Sequence, residues 1–210
     1  MKCRLKQYFL FFLGLLLFSC SRTEISLEED YVKWIDKHLT KSKIVSGIEL
    51  HLKFIPPEFL AYRELKGTNP SQSTIDSLVA YYSKSITLHL MFEPLPNSEG
   101  GSSDILYHGI ESKEEYEYRL RELSFNFQEY IYLKTNLHDY PPVLFSFENT
   151  FGLTSGRLVY LVFNPEEKHL DLMKNGLTIV LNDLLFVTGT TYFSFSESEL
   201  KKIPKIGFWN

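Results

Sequence analysis

Ile48-Glu49-Leu50-His51-Leu52-Lys53-Phe54 and Ile86-Thr87-Leu88-His89-Leu90-Met91-Phe92 decide how this chain folds. Each keeps an apolar residue at every second place. Successive side chains of a strand point to opposite faces, so a period of two marks a strand with one buried face. The two segments match place by place, Ile-x-Leu-His-Leu-x-Phe, and a proline lies two residues beyond each, Pro56 and Pro94. Two copies are too few for a solenoid. They are read as antiparallel neighbours under similar constraints.

Around them the period changes to that of helices. Leu27, Tyr31, Trp34, Ile35 and Leu39 recur at helical spacing behind Ser26-Leu27-Glu28-Glu29, a capping-box pattern, and predict a helix over 27–39. Pro56-Pro57-Glu58 starts a short helix through Leu65, stopped at Gly67. Ser73 and Ser112 head two more, with Ile75, Leu78, Val79 and Tyr82 on one apolar stripe and Tyr116, Leu120 and Leu123 on the other. From Phe125 the pattern returns to strands. Phe127, Ile131 and Leu133 share one face, and Gln128, Tyr130, Tyr132 and Lys134 the other. Residues 143–147 alternate again. Leu158 to Phe163 is apolar on both faces, the mark of an interior strand. Asn175-Gly176 signals a two-residue hairpin, Thr191, Phe193 and Phe195 mark a further strand, and Ser196 caps a brief last helix. Pro94 to Ser103, with Pro, Asn, Ser and paired Gly, is a loop. The expected fold is α+β: a mainly antiparallel, β-sandwich-like core with a few short helices.

The first twenty residues carry an address. Lys2, Arg4 and Lys6 precede an apolar run from Tyr8 to Phe18, then Leu17-Phe18-Ser19-Cys20. A cationic start and an apolar core of this length define a secretory signal, and the run is too short for a transmembrane anchor. Leu17-Phe18-Ser19-Cys20 resembles the lipobox of bacterial lipoproteins, departing from it only in the bulk of Phe18. The resemblance implies cleavage before Cys20, with a diacylglycerol thioether and an N-acyl chain on that residue. Ser21, in place of a retention aspartate, implies export to the outer membrane. Residues 1–19 are then a signal-peptide helix, 20–26 an acylated tether, and 27–210 one globular domain.

Three of the chain's 22 Lys and Arg leave with the leader, so 19 cations face 26 Asp and Glu, a net charge of −7. Such a body has no electrostatic footprint for nucleic acid. Anionic headgroups repel it, so its membrane contact is the lipid on Cys20. Both cysteines are accounted for: Cys3 is removed and Cys20 is modified. The domain therefore has no disulfide, no thiolate metal site and no cysteine nucleophile, and its 17 Phe and 13 Tyr, less those in the leader, supply the core. Phe54-Ile55-Pro56-Pro57-Glu58, the Val143-to-Gly152 stretch and Leu200-x-x-Ile203-Pro204 resemble uncharacterised exported lipoproteins of Bacteroidetes-type bacteria. That likeness implies no activity.

Candidate sites are few. Gly152-Leu153-Thr154-Ser155-Gly156 lacks the Gly-x-Ser-x-Gly order of a nucleophile elbow and reads as a turn between strands. His51 and His89 lie on the polar faces of the two matching strands, with Glu49 or Glu93 nearby. Two ligands fall short of the three or four that zinc needs, so no metal or cofactor is expected. Asn164, Glu166, Glu167 and Asp171 follow no calcium-loop spacing. Tyr130 and Tyr132, two apart, are expected on one strand face, covered by a helix or offered to a protein partner. Trp34 and Trp209 are candidates for a sugar platform, though Trp34 falls on an apolar stripe. The sequence thus points to a lipid-anchored envelope protein, not an enzyme, acting as a protein-contact or assembly module with an unknown partner. The alternatives are a glycan- or small-molecule-binding lipoprotein and an unfamiliar hydrolase.

Overall fold

The computed structural model describes residues 23–95, 104–135, 138–150, 152–165, 174–207 and 209. The leader, Cys20, most of the Pro94–Ser103 loop, Glu166, Glu167, Asp171 and the strand expected before Asn175-Gly176 lie outside them.

The strands are β1 (Glu24–Ile25), β2 (Thr40–Val45), β3 (Ile48–Ile55), β4 (Ile86–Pro94), β5 (Ile131–Lys134), β6 (Asp139–Tyr140), β7 (Leu144–Glu148), β8 (Arg157–Phe163), β9 (Leu177–Asp183), β10 (Gly189–Phe195) and β11 (Lys205–Ile206). The helices are α1 (Glu28–His38), α2 (Pro57–Leu65), α3 (Gln72–Tyr82), α4 (Lys113–Arg121) and α5 (Glu197–Leu200). One antiparallel sheet has the order β2-β3-β4-β8-β7 and the other β10-β9-β5-β6. The two matching segments are β3 and β4, and they pair antiparallel from Ile48↔Pro94 to Ile55↔Thr87. Leu50, Leu52, Phe54, Leu88, Leu90 and Phe92 from these strands pack in one core with Ile131, Leu133, Ile179, Leu181, Phe193 and Phe195 of the second sheet. The architecture is α+β and sandwich-like.

The sandwich has two distinct ends. At one, Ile55↔Thr87, Ile86↔Phe163 and Leu177↔Phe195 end their ladders. Here α2 follows β3, and the Tyr31, Phe59 and Tyr62 rings stack in sequence, with Trp209 edge-on to Tyr62. The parallel pair β1–β11 sits at this helix pole, joined to α1 by the Tyr31 hydroxyl on the Pro204 carbonyl. At the other end, Ile48↔Pro94, Phe92↔Arg157 and Gly189↔Asp183 meet loops, a 3-10 turn (Ile105–Tyr107) and Arg119 of α4. Eight residues of β3 set the poles roughly 26 Å apart.

Three local expectations are corrected. Ser26 makes no cap: Leu27 occupies the N-cap of α1 with no side-chain bond. Ser71, not Ser73, caps α3 by accepting from the Thr74 amide. Residues 122–129 are not strand but a π-helical turn (Glu122–Asn126) and a 3-10 turn (Phe127–Glu129). Leu123 and Phe127, four apart and both buried, satisfy a helical period, and the Glu122 carboxylate accepts from Asn126 and Tyr130 to hold the turn.

Candidate functional site

The outer face of the five-stranded sheet gathers titratable groups. On β3 and β4, Glu49 stands opposite Glu93, His51 opposite Met91, and Lys53 opposite His89. The two histidines therefore do not meet across the ladder: each faces a different residue. His51 instead faces both glutamates, its Nε2 lying 3.6 Å from Glu49 Oε1 and 3.5 Å from Glu93 Oε2. On the far side β2 places Ser42 opposite His51, and the Ser42 hydroxyl sits 2.7 Å from Nδ1. That bond fixes the ring and aims Nε2 at the carboxylates. Gly156 leaves room for this corner, since a Cβ there would lie 2.8 Å from Glu93 Cγ and 2.8 Å from the Phe92 carbonyl oxygen. Among the described residues, Glu49, His51 and Glu93 are the group that could hold a metal ion.

His89 occupies a separate environment. Its ring sits edge-on to Tyr160 at 4.7 Å, next to Lys53, which pairs with Asp36 of α1. Burial, then the charges of Lys53 and Arg63, hold its pKa down to about 4, so the ring is neutral at physiological pH. His51, His89, Met91, Glu93, Lys53 and Thr40 line one cleft of about 330 Å³ on this face.

The tyrosine pair is split. Tyr130 precedes β5 in helical backbone conformation, and its hydroxyl donates to Glu122 at 3.0 Å. Burial and these hydrogen-bonded neighbours push its pKa up. Tyr132 lies within β5, opposite Val180, and Tyr192 of β10 flanks Val180 from the other side. The expected shared strand face for Tyr130 and Tyr132 does not form, because the strand begins one residue too late. Trp34 and Trp209 are both partly buried against the core, so neither offers an open platform. The 152–156 segment joins β7 to β8 as a turn, and its Ser155 carbonyl accepts from the Ile105 amide.

The loop pole holds what the sequence reading missed. Arg157, 1% exposed, donates to the Thr154 and Gly156 carbonyls and pairs with Asp104 at 2.5 Å. Asp183, also 1% exposed, accepts from the amides of Leu185, Phe186 and Thr188 and from the Thr188 hydroxyl. Arg119 donates to the carbonyls of Leu106 and His108 and lies over the Phe186 ring. This polar frame presents two apolar side chains outward. Leu184 is 75% and Val187 77% exposed. Val187 has φ 58°, a left-handed conformation that a β-branched residue rarely adopts. A signal for the buried pair existed: Arg157 shares inward parity with Val159, Leu161 and Phe163, and Asp183 with Leu177, Ile179 and Leu181.

No protein-family model matches this chain, and no curated protein matches it. Among solved structures, it is similar to a novel protein of unknown function from Burkholderia pseudomallei K96243. The identity is 8%, the match covers 83% of this chain and 86% of that one, and the TM-score is 0.39.

Proposed function

We propose that this protein is a lipid-anchored module of the bacterial cell envelope that contacts a protein partner through its loop pole. The lipobox-like Leu17-Phe18-Ser19-Cys20 supports the anchor and its outer-membrane setting. The observation that carries the contact is the pairing of Leu184 and Val187. Both are exposed, and they ride on a loop fastened by four hydrogen bonds to one buried carboxylate. A non-glycine residue at positive φ costs roughly 1–3 kcal/mol and persists where the surroundings over-determine it. A rigid, pre-shaped apolar tip loses little entropy on docking.

The direction of the tip supports the same reading. The tether enters the domain at Glu24, at the helix pole. Leu184 and Val187 stand at the opposite pole, turned away from the membrane that would hold Cys20. A protein partner reaching down from that side meets them first.

The test is site-directed crosslinking in intact cells. A photoreactive residue at position 187 should give one discrete adduct, and the same residue at position 42, on the outer sheet face, should not. Combined Leu184→Ser and Val187→Ser should abolish co-purification of the partner after mild crosslinking, in a protein that unfolds at the parental temperature. Equal crosslinking from positions 42 and 187 would remove the reading. Mass spectrometry of the native chain tests the anchor, which fails if Cys20 is unmodified.

A further inference from the structure

We propose that Glu49, His51 and Glu93 form a binding site for a single divalent transition-metal ion of the zinc type, on the outer face of the five-stranded sheet. The distances carry the argument. His51 Nε2 lies 3.6 Å and 3.5 Å from the two carboxylate oxygens. Hydrogen bonds between nitrogen and oxygen span about 2.7–3.2 Å, so neither contact is one. The edge of a tetrahedron is about 1.6 times the bond from its centre. Zinc bonds of about 2.0–2.2 Å to imidazole nitrogen and carboxylate oxygen therefore set their ligand atoms roughly 3.3–3.6 Å apart. Both distances from His51 fall in that range, and the three ligand atoms all lie within 4.8 Å of one another.

Three features of the surroundings point the same way. Glu49 and Glu93 are directly opposed across the β3–β4 ladder, and like charges so placed repel unless a cation lies between them. Ser42 holds Nδ1 of His51 at 2.7 Å, the outer hydrogen bond that a metal-bound imidazole commonly makes through its other nitrogen. With Nδ1 donating to the Ser42 oxygen, the Nε2 lone pair faces the carboxylates. All three ligands come from the middle and one end of adjacent strands, so the framework is rigid before any ion arrives. One nitrogen and two carboxylate oxygens suit zinc and its first-row neighbours better than calcium, which asks for six to eight oxygens. Three protein ligands leave the fourth position open to water or to a group from outside.

The test uses the full chain, purified in detergent and stripped with a chelator, with Zn²⁺ alone as probe in titration calorimetry. One saturable event per chain is expected. His51→Gln should abolish it, and Glu49→Gln and Glu93→Gln should each weaken it at least tenfold. His89→Gln, outside the triad, should leave it unchanged. Co²⁺ should give the intense visible bands of a four-coordinate complex in the parent and not in His51→Gln. Without metal, Glu49→Gln should unfold no earlier than the parent, since it relieves a repulsion, and this separates lost ligation from lost folding. Absence of saturable Zn²⁺ binding in the parent, or undiminished binding by His51→Gln, overturns the proposal.

Discussion

The two poles of the sandwich close the same core by different chemistry. At the helix pole, α1 and α2 satisfy their own backbone groups internally, so apolar and aromatic side chains suffice: Tyr31, Phe59 and Tyr62 stack and Trp209 finishes the row. At the loop pole α4 contributes Arg119, and the rest is a short 3-10 turn and loops. Irregular backbone leaves amides and carbonyls pointing inward, and buried ions answer them. Asp183 takes three amides, Arg157 and Arg119 take carbonyls, and Asp104 balances Arg157. The buried charges of this pole sit at the ends of β8 and β9, at Arg157 and Asp183, and on α4 at Arg119.

That contrast can be broken at its strongest point first. Asp183→Ala strands the amides of Leu185, Phe186 and Thr188 and should cost about 3–5 kcal/mol, read by urea unfolding. A loss under about 1 kcal/mol would mean that the carboxylate does not organise the pole. Arg157→Met should cost about 3 kcal/mol by taking the guanidinium from Asp104, and adding Asp104→Asn, which keeps an acceptor for the Leu106 amide, should restore part of it. Failure of the double variant to recover would show that the carbonyl bonds of Arg157, not the ion pair, carry its effect.

At the helix pole the response should be graded instead of abrupt. Phe59→Leu removes ring contact with Tyr31 and Tyr62 but strands no polar group, and should cost about 1 kcal/mol. A loss as large as that of Asp183→Ala would erase the distinction between the poles. A separate effect, confined to acid pH, belongs to His89, near that pole. Its pKa falls from 6.5 in the unfolded chain to about 4 in the folded one. The unfolded state therefore binds the proton more readily. His89 contributes its full stabilisation above pH 6.5, and loses it progressively as pH falls toward 4. Urea midpoints of His89→Gln should fall less than the parent's across that window, and NMR should show the parent ring titrating near its lower end.

What could be read from sequence follows the same division. Period-two patterning made β3 and β4 legible because each buries one whole face, and it carried their antiparallel pairing as well. It held at Ile131 and Leu133 but failed at Phe127, whose spacing of four from Leu123 fits a helical turn, which the Glu122 carboxylate bonds hold. The members of the Glu49–His51–Glu93 group were visible one by one, but with His89 beside His51. His51 was placed on the polar face, but its partner is set by register: a shift that pairs it with Met91 brings both glutamates to one imidazole and takes His89 away. The loop pole stayed hidden for a different reason. Arg157 and Asp183 sit on inward-facing positions, but the turn that satisfies Asp183, two to five residues on, carries no period, and the carboxylate that pairs with Arg157, Asp104, comes from a segment distant in sequence.

The shortest sheet in the molecule joins nearly the first described residues to nearly the last. Lys205 donates its amide to the Thr23 carbonyl, and Gly207 to that of Ile25, each at 2.8 Å. A contact spanning so much chain cannot form until the final segment has emerged and the intervening core has condensed. The N-terminal segment is thus sewn down last. Any mechanical pull along it would be felt first by these two bonds, so the seam can part like a breakaway stitch while the sandwich behind it stays whole.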